Sequence, residues 1–249
     1  MKPDESVKPH PVLTDYYADE GARRARIDQM FDASARHYDR INSIMSFGSG
    51  RWYRRTALLR AGLSVGKRVL DVGAGTGVVS LLAQEIVGST GHVVAVDPSQ
   101  GMLDVARANG VRNVQKAIGE ALPFPDDGFD MVTMGYALRH VSDLRVLFRE
   151  YQRVLRPGGK ILLLEITRPD NRLGKLLLKA YMKAYVPAVT RWLIGSAEAQ
   201  RLMQYYWDTI ENCVPPETIL GVMKDVGLVE PVRHVVMKVF SEYSATKAG

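Results

Sequence analysis

Residues 68–77 read RVLDVGAGTG: an apolar run rich in β-branched residues, Asp71, then glycines at every second position, Gly73, Gly75 and Gly77. A strand that runs into a turn stripped of side chains is how an open α/β sheet admits a ligand at the carboxyl end of its first strand. Around this stretch, apolar strands and helical segments alternate: GVVSLLAQEIV, HVVAVD, GMLDVARANG, VRNVQKAI, FDMVTMGYAL, DLRVLFREYQRVL and GKILLLEIT. Strands so uniformly apolar, spaced by helices of about ten residues, predict a doubly wound parallel sheet covered on both faces.

The remaining segments fit around that core. Residues 23–46 set Ile27, Met30, Phe31, Tyr38, Ile41 and Met45 on one helical face, so residues 23–60 read as a helical lid. After Thr167 the alternation stops, and residues 168–210, aromatic and basic without a strand signal, read as a helical insertion over the site. VPPETILGVMKDVGL restarts a helix at a Pro-Pro-Glu entry and ends it at Gly227. VEPVRHVVM and KVFSEYSA then close the sheet as an antiparallel edge, seven strands in all. Residues 1–22 and the last six read as flexible ends of a single domain, and RPGGK at 156–160 as a structural turn ahead of a strand.

With 249 residues and 46% hydrophobic content, the chain suits one large α/β domain. The single cysteine, Cys213, excludes a disulfide framework and a cysteine-based zinc cluster, and no metal site is expected. With no charged-then-apolar leader pattern at its start, the expected compartment is the reducing cytoplasm. The net charge of +6 suits nucleic acid, an anionic membrane surface or an acidic ligand, and equally a basic surface with no specific partner.

The glycine spacing narrows the ligand. A dinucleotide fingerprint places its third glycine where this chain has Val78. Asp97 ends the second strand twenty residues past Gly77, where a carboxylate accepts the hydroxyls of a ribose. Asp71, the glycines and Asp97 therefore describe a nucleoside bound without a pyrophosphate, and S-adenosylmethionine fits. Ala74, Pro98 and Met102, beside these residues, join the expected cofactor set.

This arrangement resembles the class I, Rossmann-like methyltransferases, and one branch in particular: the ubiquinone/menaquinone biosynthesis C-methyltransferases of the UbiE type. YDRINSIMSFGSGRWYRR at 38–55 is similar to that family's first signature, ALRHVSD at 137–143 to its active-site turn, and RVLRPGGKILLLEIT at 153–167 to its second; FDASARHYD and LPFPDDGFD read the same way. The resemblance spans residues 25–228 and implies carbon methylation of a phenolic or quinone-like substrate. Four places depart from it. Gly50 stands where the family has a histidine before Arg51, and His140 where an asparagine follows Arg139. Ile118 replaces an aspartate that contacts the adenine amino group, leaving that task to backbone groups of Gly119 and Glu120, and the glycine-rich closing strand is absent.

The chemistry asks for a phenolate-stabilising cation and a proton acceptor. Arg139, after the fourth strand, is the candidate oxyanion donor, an effect of about 2–4 kcal/mol, with a salt bridge to Asp143 as its structural alternative. His140 is a candidate base or a packing residue; Tyr38, beside His37, reads as packing more than reacting. Tyr136 and Arg51 are expected at the substrate pocket, and Glu165 either orients substrate or bonds loop amides. In residues 174–186, Lys175, Lys179 and Lys183 recur every four residues, a basic amphipathic helix suited to peripheral contact with the inner membrane face or to packing over the pocket, and too short to span a bilayer. A homodimer is the other candidate assembly. Methylation of oxygen or nitrogen on another small molecule is the competing reading. A nucleic-acid methyltransferase is disfavoured, since MGYALRH lacks the Pro-Pro-aromatic amine site and no Pro-Cys nucleophile occurs. A non-catalytic scaffold would have no need of Asp97.

Overall fold

The computed structural model describes residues 5–46, 49–169, 171–194 and 197–249. Strands β1 (Arg68–Val72), β2 (His92–Asp97), β3 (Val114–Lys116), β4 (Phe129–Gly135) and β5 (Leu155–Ile166) are parallel, and β6 (Leu228–Val236) and β7 (Phe240–Lys247) complete a sheet ordered β3-β2-β1-β4-β5-β7-β6. The chain reverses direction across the sheet between β1 and β4, which opens a crevice at their carboxyl ends. β7 is antiparallel to both neighbours, β5 and β6. The antiparallel strand therefore lies inside the edge, and the outermost strand, β6, runs with the parallel set.

Side chains on successive strand positions point to opposite faces, so each strand feeds two cores. Leu70, Val72, Val94 and Val96 pack on one face against α5 (Leu144–Val154) and α9 (Pro216–Asp225). Val69, Val93 and Leu162 pack on the other against α2 (Gly50–Arg60) and α3 (Val78–Val87). The RPGG turn lies within β5 rather than ahead of it. Pairing jumps from Phe129↔Leu155 to Met131↔Lys160, a bulge that Gly158 accommodates at φ +76°.

A third core joins the two flanking segments. Ile27 and Met30 of α1 (Glu20–Ser46) meet Leu202, Met203, Tyr205, Tyr206 and Trp207 of α8 (Ala197–Asn212). The side chains of His37, Ile41 and Met45 lie outside the described residues. α6 (Arg172–Ala180) continues through a π-helical turn, Tyr181–Tyr185, into α7 (Val186–Ile194). Pro187 accounts for that turn, since its ring nitrogen cannot donate to the carbonyl four residues back and its ring crowds it.

Both ends are more ordered than their composition implies. Val7, His10 and Tyr17 are buried, and the Val7 and Pro9 carbonyls accept hydrogen bonds from the Leu144 and Val214 amides, each at 2.8 Å. At the other end β7 runs to Lys247, whose Nζ donates to the Leu155 carbonyl at 2.8 Å. Polar, proline-containing composition reads as a loose end, but a segment that finds unpaired backbone on a neighbour is held regardless.

Gly77 sets where α3 starts. It caps the helix at φ +86°, and a Cβ there would lie 2.4 Å from Val111 Cγ2. Gly77→Ala is expected to lower stability by about 3 kcal/mol, from left-handed strain and overpacking together, read as a reduced urea midpoint at unchanged slope.

Candidate active site

The loops at the carboxyl ends of β1, β2 and β4 surround a cavity, and α1 lies over it. Gly73 and Gly75 line it after β1, with Asp97 and Pro98 at the end of β2. Met102 enters from α4 (Gln100–Ala108), Gly119 and Glu120 from beyond β3, and Tyr136 and His140 from beyond β4. A side chain at Gly73, at φ +63°, would put its Cβ 2.6 Å from Ala137 Cβ, so the wall stays bare there.

Asp97 organises the crevice. Its two oxygens each accept one loop amide, Gly75 N at 2.8 Å and Ser99 N at 2.9 Å. Burial pushes its carboxyl up to about 6, and the two amides oppose that rise. A carboxylate oxygen holds about two lone pairs, so each retains one for a ligand hydroxyl.

Several expected site residues stand elsewhere. Asp71 lies beneath the loop, fully buried, where it accepts from Ser80 Oγ (2.5 Å) and Thr133 Oγ1 (2.8 Å) and so ties β1 to α3 and β4; burial raises its carboxyl to about 6. Ala74 and Gly77 stand off the cavity; Ala74 spends its amide on the Val96 carbonyl (3.0 Å). Arg51 is on the surface of α2, paired with Glu85 at 2.9 Å.

Arg139 is the largest correction. Its guanidinium does not reach the cavity: Nε pairs with Glu165 Oε2 at 2.9 Å, Nη1 donates to Thr209 Oγ1 at 3.2 Å, and Nη2 to the Tyr136 carbonyl at 3.3 Å. The partner is Glu165, at the end of β5, and not Asp143, which instead caps α5 by accepting the Arg145 amide. Glu165 accepts the Leu138 amide with its other oxygen, so of its two expected roles it fills the loop-bonding one.

His140 does line the cavity. Its Nδ1 lies 3.2 Å from the Tyr205 hydroxyl, its ring stacks on Tyr205 and meets the edge of Phe31, and its Nε2 has no hydrogen-bond partner among the described residues. Burial, helped by the charges of Arg139 and Arg23, holds this imidazole well below its usual range, so it is neutral at pH 7. Tyr136 has a left-handed backbone, φ +63°, and its ring lies 4.9 Å beneath the Arg54 guanidinium. Burial pushes its phenol up to about 12.

The contacts that seat α1 over the site escaped the sequence reading. Tyr38 hydrogen-bonds Tyr206 across to α8 at 2.8 Å. Asp32 accepts from the Ser99 hydroxyl and the Gly101 amide (3.0 Å), and Asp39 from the Thr76 hydroxyl and Asn109 Nδ2 (2.9 Å). The usable signal was their spacing of seven residues, two helical turns, which places both carboxylates on one face of α1.

Comparison with known proteins agrees with this geometry. The model of the ubiE/COQ5 methyltransferase family matches residues 19–238. The chain is 36% identical over 208 residues to the ubiquinone/menaquinone biosynthesis C-methyltransferase UbiE of Marinomonas sp. (strain MWYL1), covering 81% of this chain and 82% of that one. With UbiE of Pseudomonas fluorescens (strain Pf0-1) the identity is 33% over 222 residues, 86% of each chain. Among solved structures, a SAM-dependent methyltransferase from Thermotoga maritima shares the fold with a TM-score of 0.62 at 20% identity, covering 88% of this chain and 98% of that one.

The Arg139–Glu165 pair is buried on both sides. Arg139→Ala is expected to destabilise the protein by about 3–5 kcal/mol, because it strands a buried carboxylate. Chemical denaturation of the single and double variants checks this: the Arg139→Ala/Glu165→Ala loss should fall well short of the sum of the singles.

Proposed function

The chain belongs to the ubiE/COQ5 methyltransferase family, and we propose that this S-adenosylmethionine-dependent methyltransferase methylates a ring carbon of a phenolic, quinone-type lipid precursor. The observation that carries the cofactor's location is Asp97, held by two loop amides and facing a glycine-bared cavity. The cavity suits the cofactor: lone pairs on Asp97 for ribose hydroxyls, a slot of Pro98, Met102 and Ile118 for an aromatic base, and bare backbone at Gly73 for the methionine end. The relatives' names, which specify carbon methylation in ubiquinone and menaquinone biosynthesis, support the acceptor class.

When bound, S-adenosylmethionine supplies a methyl carbon already activated by its sulfonium. The chain's own residues align the acceptor ring and remove the proton that leaves the methylated carbon. His140 is the proton acceptor: it faces the cavity, is neutral at pH 7 and has a ring nitrogen free among the described residues. Arg139 acts as a positioning residue, holding the turn that carries His140 through Glu165. Tyr136, with Arg54 over its ring, forms the floor beside the acceptor.

A lipid acceptor has to be met at a membrane. Among the described residues no helix is long and apolar enough to cross one. α6 has no buried residue, and Leu173, Leu176 and Leu177 are 67%, 64% and 61% exposed, with Trp192 of α7 at 83%. Arg172, Lys175 and Arg191 interleave with them, while Lys179 and Lys183 pair with Glu211 and Asp208 of α8, each at 3.4 Å. Apolar side chains among cations complement an anionic lipid surface better than a second copy of the same cationic face. The enzyme is thus a cytoplasmic protein docked on the inner membrane face.

Three measurements test these readings. Transfer of labelled methyl from S-adenosylmethionine to a demethylated isoprenoid quinol, mapped by mass spectrometry, should give a ring-carbon product; methylation at oxygen or nitrogen would reject the carbon assignment. Asp97→Ala should weaken cofactor affinity about 100-fold, the loss of charge-assisted hydrogen bonds. For the surface, Leu176→Ser/Leu177→Ser should lower partition onto anionic vesicles roughly 30-fold, about 2 kcal/mol of lost apolar burial. Unchanged partition, or a dimer that these substitutions dissolve, would reject lipid docking by α6.

A further inference from the structure

Arg24, Asp28 and Asp32 recur every four residues on α1 and share one face. The outer two are pinned to the sheet end. Arg24 pairs with Glu120 at 3.4 Å and donates to Ser142 Oγ at 3.1 Å, and Asp32 accepts from the Ser99 hydroxyl and the Gly101 amide. Asp28 is thereby held over the cavity between the loop after β2 and the loops after β3 and β4. It lines the cavity, is half-buried, and accepts no hydrogen bond among the described residues. Burial raises its carboxyl above the ordinary range despite the attraction of Arg24 and Lys116.

We propose that Asp28 is the hydrogen-bond acceptor for the exocyclic amino group of the cofactor's adenine, carried by the lid helix in place of an acceptor on the sheet. This rests on the cofactor reading above and deepens it. An adenine amine has two donors, and leaving them unpaired in a closed slot costs about 1–3 kcal/mol. The slot's side chains, Pro98, Met102 and Ile118, accept nothing. The Ile118 carbonyl accepts the Ala121 amide at 3.2 Å, which uses one of its two lone pairs. The amides of Gly119 and Glu120 are donors, suited to ring nitrogens and unable to receive an amine. Of the three carboxylates on the wall, Asp97 faces the ribose, and Glu120 has its Oε1 taken by the Ser142 amide (2.6 Å) and by Arg24, which fixes that side chain toward the loop after β4 and leaves only its Oε2 without a partner among the described residues. Asp28 is the one that lies on α1 with both oxygens free of hydrogen bonds among the described residues.

The consequence is a coupling. Since the acceptor travels with α1, the base is read only when the helix is seated, and a nucleoside without the amine does not help hold the cover down. A neutral amide at position 28 distinguishes this role from simple support of the helix, because its NH2 group donates to a 6-oxo group where a carboxylate repels it.

Calorimetric titration with S-adenosylhomocysteine and its 6-oxo counterpart, S-inosylhomocysteine, tests the proposal. The wild-type chain should prefer the adenosyl ligand by about 30-fold, the worth of a hydrogen bond to a charged group. Asp28→Ala should lose that preference while keeping its affinity for the inosyl ligand, and Asp28→Asn should shift it toward the inosyl ligand. Equal loss for both ligands, or an unchanged preference, would overturn the assignment of Asp28 and leave the cofactor reading standing. A wild-type chain that binds neither ligand would overturn both.

Discussion

The buried pair between Arg139 and Glu165 is the constraint on which the site depends. Glu165 ends β5 and Arg139 sits in the turn after β4, so the pair fixes one strand's end to the loop of its neighbour. From Arg139 the connections spread outward: its side chain reaches Thr209 of α8, and its carbonyl accepts Arg23 Nη2 of α1 at 3.0 Å. Arg23 in turn lies 3.1 Å from the ring of His10, in the ordered N-terminal segment. Sheet, insertion and cover thus meet on one residue, Arg139, and the terminus joins them through Arg23. Two charges taken from water stay stable only when every donor and acceptor is used, which is why the arrangement tolerates little alteration.

Around this anchor the cavity brings acidic and aromatic side chains together: Asp28, Asp97 and Glu120 line it along with Phe31, Tyr38, Tyr136 and His140. Burial keeps Tyr136 and His140 neutral. A cationic sulfonium then meets negative potential at its nucleoside end, while the ring to be methylated meets a surface without competing charge.

The helices that close the cavity are backed by those that carry the apolar and cationic surface. α8 packs against α1 over the site, and the rod of α6, the π turn and α7 packs its Met182 and Val186 into that third core while showing its leucines to the outside. On the proposed docking, a substrate arriving at the outer face would meet helices whose inner neighbours line the site. The π turn forced by Pro187 sets the relative rotation of the two halves, so exposed leucines and buried methionine occur on one continuous helix.

Local chemistry made much of this legible from sequence. Strand and helix periods, the glycines after β1, Asp97 at the end of β2 and the capped helix at Pro216 are statements about a few adjacent residues, and they locate the sheet, the crevice and the cofactor class. What depends on distant partners was not readable. Arg139 near Asp143 in sequence suggested one ion pair, and the fold supplied Glu165; Asp71 looked like a ligand contact and became a clamp on Ser80 and Thr133. Residues 5–17 looked loose because the backbone groups that hold them belong to residues more than a hundred positions away. By itself the sequence determined a doubly wound sheet with a glycine-bared nucleoside crevice, because backbone conformation and pleat periodicity are short-range. Only the tertiary structure decided which charges pair, which carboxylate faces the ligand and which helix face meets solvent, because these depend on burial, and burial belongs to the assembled chain.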